Sequence, residues 1–100
     1  MTSKNKSSFV NEMFDAILEL KNREECYKFF DDLCTAGEIH SMSQRLAVAK
    51  LLDKDISYSD IARATGASTA TISRVKRSLA YGEDGYRLMI DRLTKNSSRR

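Results

Sequence analysis

A chain of 100 residues has room for one modest domain with a thin core, and with no proline and only four glycines it favours long helices with few breaks. No apolar run approaches the ~18 residues of a membrane span, and no signal-peptide pattern is seen near the N-terminus, which points to a soluble cytoplasmic protein with no membrane contact. One histidine and two cysteines argue against a grouped zinc site, so no metal is expected and Cys26 and Cys34 are read as reduced core thiols.

In chain order, residues 1–8 (MTSKNKSS) are polar and read as a disordered tail. From Phe9 a helical period sets in, with Phe9, Met13, Ile17 and Leu20 in steps of three or four, Phe14 and Leu18 widening the stripe, and Ser8 as N-cap. A second helical stretch holds Cys26, Tyr27, Phe29, Phe30, Leu33 and Cys34. Five of the eight aromatic residues fall within the first 30 positions. A thin monomer would struggle to hide that face, so this half is read as dimer-forming; an ordinary intrachain core is the alternative.

Thr35 and Glu38 form a T-x-x-E capping box before a third helix, which carries Ile39, Met42, Leu46, Ala49 and Leu52 and ends near Asp53–Asp55. Two shorter helices follow, and Gly82 and Gly85 mark a break. Tyr86, Met89, Ile90 and Leu93 suggest a closing helix that packs back on the body. Residues 9–93 are therefore read as a single all-α domain, and 94–100 (TKNSSRR) as a second disordered tail.

The formal charge of +3 is mild, but it is unevenly spread. Residues 1–34 hold five Lys/Arg against seven Asp/Glu, a net of −2, whereas 61–82 hold Arg63, Arg74, Lys76 and Arg77 with no acid, a net of +4. A local basic patch attracts polyanions even on a nearly neutral chain.

That basic segment overlaps YSDIARATGASTATISRVKR, Tyr58 to Arg77, which has the anatomy of a helix-turn-helix extending over residues 58–79. Ile61 is apolar where the first helix packs inward, and Ala62 is small where the two helices cross. Gly66 stands at the tight turn, where a positive φ is easiest for glycine. Ile72 and Val75 anchor the second helix and Leu79 continues their face. Ser68 caps that helix; Ser57 or Ser59 caps the first, and Asp60 suits its dipole. With 72, 75 and 79 buried, Ala70, Ser73, Arg74 and Arg77 face outward, Thr69 lies near the N-terminal end, and Thr71 and Ser78 flank. Small side chains allow close approach to base edges, while hydroxyls and arginines supply hydrogen bonds. The candidate contacts to double-stranded DNA are Arg63, Ser68, Thr69, Ala70, Ser73, Arg74, Lys76 and Arg77.

From Thr35 to about Leu79 the chain resembles the Trp repressor family. The residues that carry the resemblance are LLDKDISYSDIARATGASTATISR, within which GASTATISR matches the family's G-A-x-x-A-T-I-T-R. The resemblance implies an all-α, intertwined homodimer of about six helices per chain that presents two reading heads. It also implies an effector pocket, whose matching residues here are Thr35, Arg45, Arg74 and Ser78. Directly after the reading-helix arginine the family has glycine and this chain has Val75, whose branched side chain crowds a flat indole. The expectation is a relative that binds DNA but not tryptophan, tuned by another small effector or by none. The family's basic residues on the first helix of the motif match Ser59 and Ala62, so Arg63 is expected to stand in for them.

Three functional classes follow. A dimeric transcriptional regulator, a repressor by resemblance, would place two heads ~34 Å apart on a palindromic site and bind with steep salt dependence; a recombinase-type module would need a separate catalytic partner. A helical interaction module would use the aromatic N-terminal half and leave the basic patch incidental. An enzyme is disfavoured: there is no glycine-rich phosphate loop and no nucleophile with a base and an orienting group.

Overall fold

The structure, a computed structural model, describes residues 7–98. Those residues form six α-helices and, among them, no strand. The expected tails at 1–6 and 99–100 lie outside the described residues. The chain divides into two compact units, one up to Ala36 and one from Gly37 onward.

The first unit holds α1 (Ser8–Leu18) and α2 (Arg23–Leu33). The N-cap of α1 is Ser7, one residue before the expected Ser8; its hydroxyl accepts the Val10 N–H at 3.2 Å. The helix ends before Leu20, because Glu19 and Leu20 donate to the carbonyls of Ala16 and Ile17, three residues back, and tighten the last turn. Asn22 caps α2 by accepting from Glu25 N–H at 2.9 Å, and the Glu25 carboxylate reaches back to Lys21 N–H at 2.9 Å. This is a capping box displaced by one residue. Phe29 and Phe30 meet edge to face, with centroids 5.5 Å apart.

Neither α1 nor α2 has a fully buried residue. Phe9 and Leu18 are 81% and 80% exposed, and Phe14, Tyr27 and Leu33 are exposed as well. Cys26 and Cys34 are free and only half-buried, so their expected place in a core is not met within the chain.

The second unit contains the core. It is formed by Val48 and Ala49 from α3 (Ala36–Asp53), Ile61 from α4 (Tyr58–Thr65), Ala67 from the turn, Ile72 and Val75 from α5 (Thr69–Tyr81), and Ile90 from α6 (Gly85–Ser98). Leu51, Leu52, Ala62, Leu79 and Tyr86 pack around it. Ile61, Ile72, Val48 and Val75 are its largest fully buried side chains, each stabilising the fold by roughly 1.5–3 kcal/mol. Val48 lies off the expected stripe of α3, and Met42, on that stripe, is exposed. Apolar residues occur nearly all round this helix, so periodicity alone singles out no face.

The α3–α4 connection is a Schellman-type ending. Ile56 N–H donates to Leu51 C=O at 3.2 Å and Asp55 N–H to Leu52 C=O at 3.0 Å, with Asp55 left-handed at φ 59°. An exposed Arg87–Asp53 pair at 3.2 Å ties α6 to the end of α3, a contact type that contributes ~0–1 kcal/mol. α6 extends to Ser98, past Leu93 and into the segment 94–100 that reads as a tail in the sequence.

Candidate nucleic-acid interface

The helix-turn-helix is α4 and α5. Ser57 caps α4 and accepts from Asp60 N–H at 3.2 Å, which decides between the two serines of the sequence reading. Gly66 ends α4 with φ 74° and donates its N–H to Ala62 C=O at 2.8 Å, taking the left-handed conformation that the turn requires. Ser68 caps α5, accepting from Thr71 N–H at 3.1 Å and donating its own hydroxyl to Thr71 Oγ1 at 3.1 Å. Ile61, Ile72 and Val75 are buried and Ala62 is half-buried beside them.

Two contributors to the turn have no signature in the motif. The Thr65 hydroxyl donates to Ile61 C=O at 2.7 Å and accepts from Ala67 N–H at 3.1 Å. Gln44, on α3, donates from Nε2 to Thr65 C=O at 3.0 Å and so ties the turn to the long helix. A residue 21 positions away leaves no local trace in sequence.

The outward face of α5 carries Ala70, Ser73, Arg74 and Arg77, all exposed, with Ser68 and Thr69 exposed at its N-terminal end. The helix contains Arg74, Lys76 and Arg77 and no Asp or Glu. Its N-terminal dipole adds partial positive charge at the end where small residues permit close approach.

Lys76 and Arg63 sit differently from this row. Lys76 Nζ lies 5.7 Å from the centroid of the Tyr58 ring, on the flank between the exposed and buried faces. It lines a shallow cleft of about 380 Å³ with Asp53, Asp55 and Arg87. Arg63 forms an exposed ion pair with Asp60 at 2.9 Å. The acid-free stretch 61–82 thus has an acid just outside it, one helical turn from Arg63, that partly neutralises this guanidinium.

The four residues matched to an effector pocket are distributed as follows. Thr35 directly precedes α3, Arg45 is half-buried on α3, and Arg74 and Ser78 are exposed on α5. Ser78 lines an open groove of about 540 Å³ together with Leu46, Gly82, Glu83, Tyr86 and Met89, whereas Arg45 and Arg74 do not line it. Val75 is 1% exposed and belongs to the core. Among the described residues, no group of three or more His, Cys, Asp or Glu is placed to hold a metal ion, and no helix is long and apolar enough to cross a membrane.

Comparison with known proteins gives a consistent picture. The family model described as Trp repressor protein matches residues 8–94. The uncharacterized protein YerC of Bacillus subtilis (strain 168) is 53% identical over 89 residues, covering 89% of this chain and 86% of the relative. A crystal structure of a candidate Trp repressor from Staphylococcus aureus superposes with a TM-score of 0.90 at 56% identity, covering 94% of this chain and 95% of that one. A TrpR-like protein from Eubacterium eligens ATCC 27750 gives a TM-score of 0.90 at 55% identity, covering 93% and 96%.

Proposed function

The chain belongs to the Trp repressor family, and from that premise we propose that it is a sequence-specific DNA-binding transcriptional regulator, a repressor that acts as a homodimer on a palindromic site. The observation that carries this reading is the exposed face of α5. Ala70, Ser73, Arg74 and Arg77 form a small, hydroxylated and cationic row on a helix whose opposite side is locked into the core by Ile72 and Val75. Such a row suits a major groove, where arginine reads guanine and phosphates attract the excess charge. Two-fold symmetry of the protein would be mirrored in the site.

A small effector other than tryptophan belongs to the same reading. Arg45, Arg74, Ser78 and Thr35 are of types that hold polar groups, while the branched Val75, where the family has glycine, would crowd a flat indole. Val75 is also part of the core, so it cannot swing aside without opening a void. The exposed apolar side chains of α1 and α2 favour a second reading, a helical interaction module whose helix-turn-helix does not read DNA.

Selection from a random DNA pool, followed by a salt titration on the winner, separates these readings. An enriched palindrome bound with steep salt dependence is the expected result. Absence of enrichment, with only salt-insensitive association, would favour the interaction module. Calorimetry with millimolar tryptophan is expected to give no saturable heat; a clear isotherm would overturn the exclusion of tryptophan.

A further inference from the structure

The exposed row on α5 does not stop at Arg77. Side chains on an α-helix are ~100° apart, so residues four, seven and eleven positions beyond Ala70 share its face. Those residues are Arg74, Arg77 and Tyr81. Tyr81 is the last residue of α5 and is 86% exposed, more than Phe9 or Leu18. Its placement is held by the helix end: Gly82 N–H donates to Ser78 C=O at 2.8 Å, and the chain turns away directly afterwards. The ring lies outside the core cluster, so intrachain packing does not account for it.

From Ser73 to Tyr81 the helix rises ~12 Å, comparable with the ~12 Å width of the major groove. A helix whose N-terminal residues meet base edges carries its C-terminal end out towards the flanking phosphates. A tyrosine there can lay its ring along a sugar and donate its hydroxyl to a phosphate oxygen. Arg74, Lys76 and Arg77, on a helix without Asp or Glu, attract a polyanion to this face, while Glu83 and Asp84 lie just beyond the helix end.

We propose that Tyr81 is a DNA-positioning residue whose hydroxyl donates a hydrogen bond to a backbone phosphate at the lip of the major groove, setting how far the reading helix enters. The inference rests on the DNA-binding reading above. It has a signature of its own: a neutral donor displaces no counterion, so its loss weakens binding without changing the salt slope, unlike loss of an arginine. Because a phosphate contact carries no sequence information, it can be measured on DNA of any sequence.

The test titrates the full chain, Tyr81→Phe, Tyr81→Ala and Arg77→Ala onto sonicated random-sequence duplex DNA over a range of salt, with sedimentation of each protein alone as the measure of assembly. Tyr81→Phe is expected to bind roughly tenfold more weakly at an unchanged salt slope. Tyr81→Ala is expected to bind at least as weakly as Tyr81→Phe, and Arg77→Ala to lower the slope by about one. Undiminished binding by Tyr81→Phe, with Arg77→Ala impaired, overturns the role of Tyr81 and leaves the DNA reading intact. Absence of salt-dependent binding by the unmodified protein removes both. A loss of affinity that occurs only with altered sedimentation assigns the ring to contact with a second copy of the chain and also overturns the proposal.

Discussion

Gly66, Gly82 and Gly85 all stand next to helix ends, yet each meets a different constraint. At Gly66 the demand is conformational: φ is 74°, and an added Cβ would meet only Gln44 Nε2 at an ordinary 3.9 Å. Gly66→Ala is therefore expected to cost about 1–2 kcal/mol of backbone strain, seen as a lower Tm in thermal unfolding. Gly66→Asn is expected to lose less, since asparagine tolerates this region. At Gly82 the backbone is extended and the obstacle is contact, because a Cβ would collide with the Ser78 carbonyl oxygen, which is itself part of the helix. At Gly85 nothing lies within 4 Å of the added atom. Gly82→Ala is expected to destabilise by about 1–3 kcal/mol, while Gly85→Ala is neutral or slightly stabilising. Comparing the two melting curves checks this; equal curves would mean that the α5 end rearranges freely. The turn glycine was legible from the motif around it, and so was the break near 82–85. The difference between Gly82 and Gly85 was not, because it depends on where one carbonyl oxygen points.

At the scale of elements, α5 is the one to perturb. Arg77 stands in the exposed row of α5, while Thr71 is half-buried and takes part in the Ser68 cap. Arg77→Ala is expected to weaken DNA binding and lower its salt slope, whereas Thr71→Ala should leave the slope unchanged and lower stability through the cap by a few tenths to ~1 kcal/mol. Gel-shift titrations at several salt concentrations distinguish the two; equal, negligible effects would mean that a different face of α5 meets the partner. The Ser68 cap was readable in sequence because its partner is three residues away, and the apolar anchors of α4 and α5 because they recur at helical spacing. The deviations elsewhere share one cause. Ser7 and Ser8 are chemically equivalent caps one residue apart, and the structure uses Ser7. α3 is apolar nearly all round, so only the assembled core shows that Val48 and Ala49 face inward. Lys76 and Arg63 read alike as basic residues, yet one lies over the Tyr58 ring and the other pairs with Asp60.

For the molecule as a whole, the imbalance between the two units is the main physical fact. The buried hydrophobic residues belong to the unit from Gly37 onward, whereas α1 and α2 keep Phe9, Phe14, Leu18, Tyr27 and Leu33 exposed. An apolar surface of that kind is costly in water and is normally covered. In the homodimer we propose, Phe14→Lys is expected to raise the dissociation constant at least ~10-fold, since it places a charge in a seam that must be dry. Sedimentation velocity across a concentration series reads this directly, and an unchanged profile would place the seam elsewhere. The sequence by itself determined the helical class, the position of the helix-turn-helix, its turn glycine, the Ser68 cap of α5 and the family, because these depend on contacts within a few residues and on the spacing of apolar side chains. Only the tertiary structure decided which side of α3 is buried, that Gln44 clamps the turn and that Lys76 lies over the Tyr58 ring. Those features depend on groups brought together across space, and the chain order of residues does not encode such distances locally.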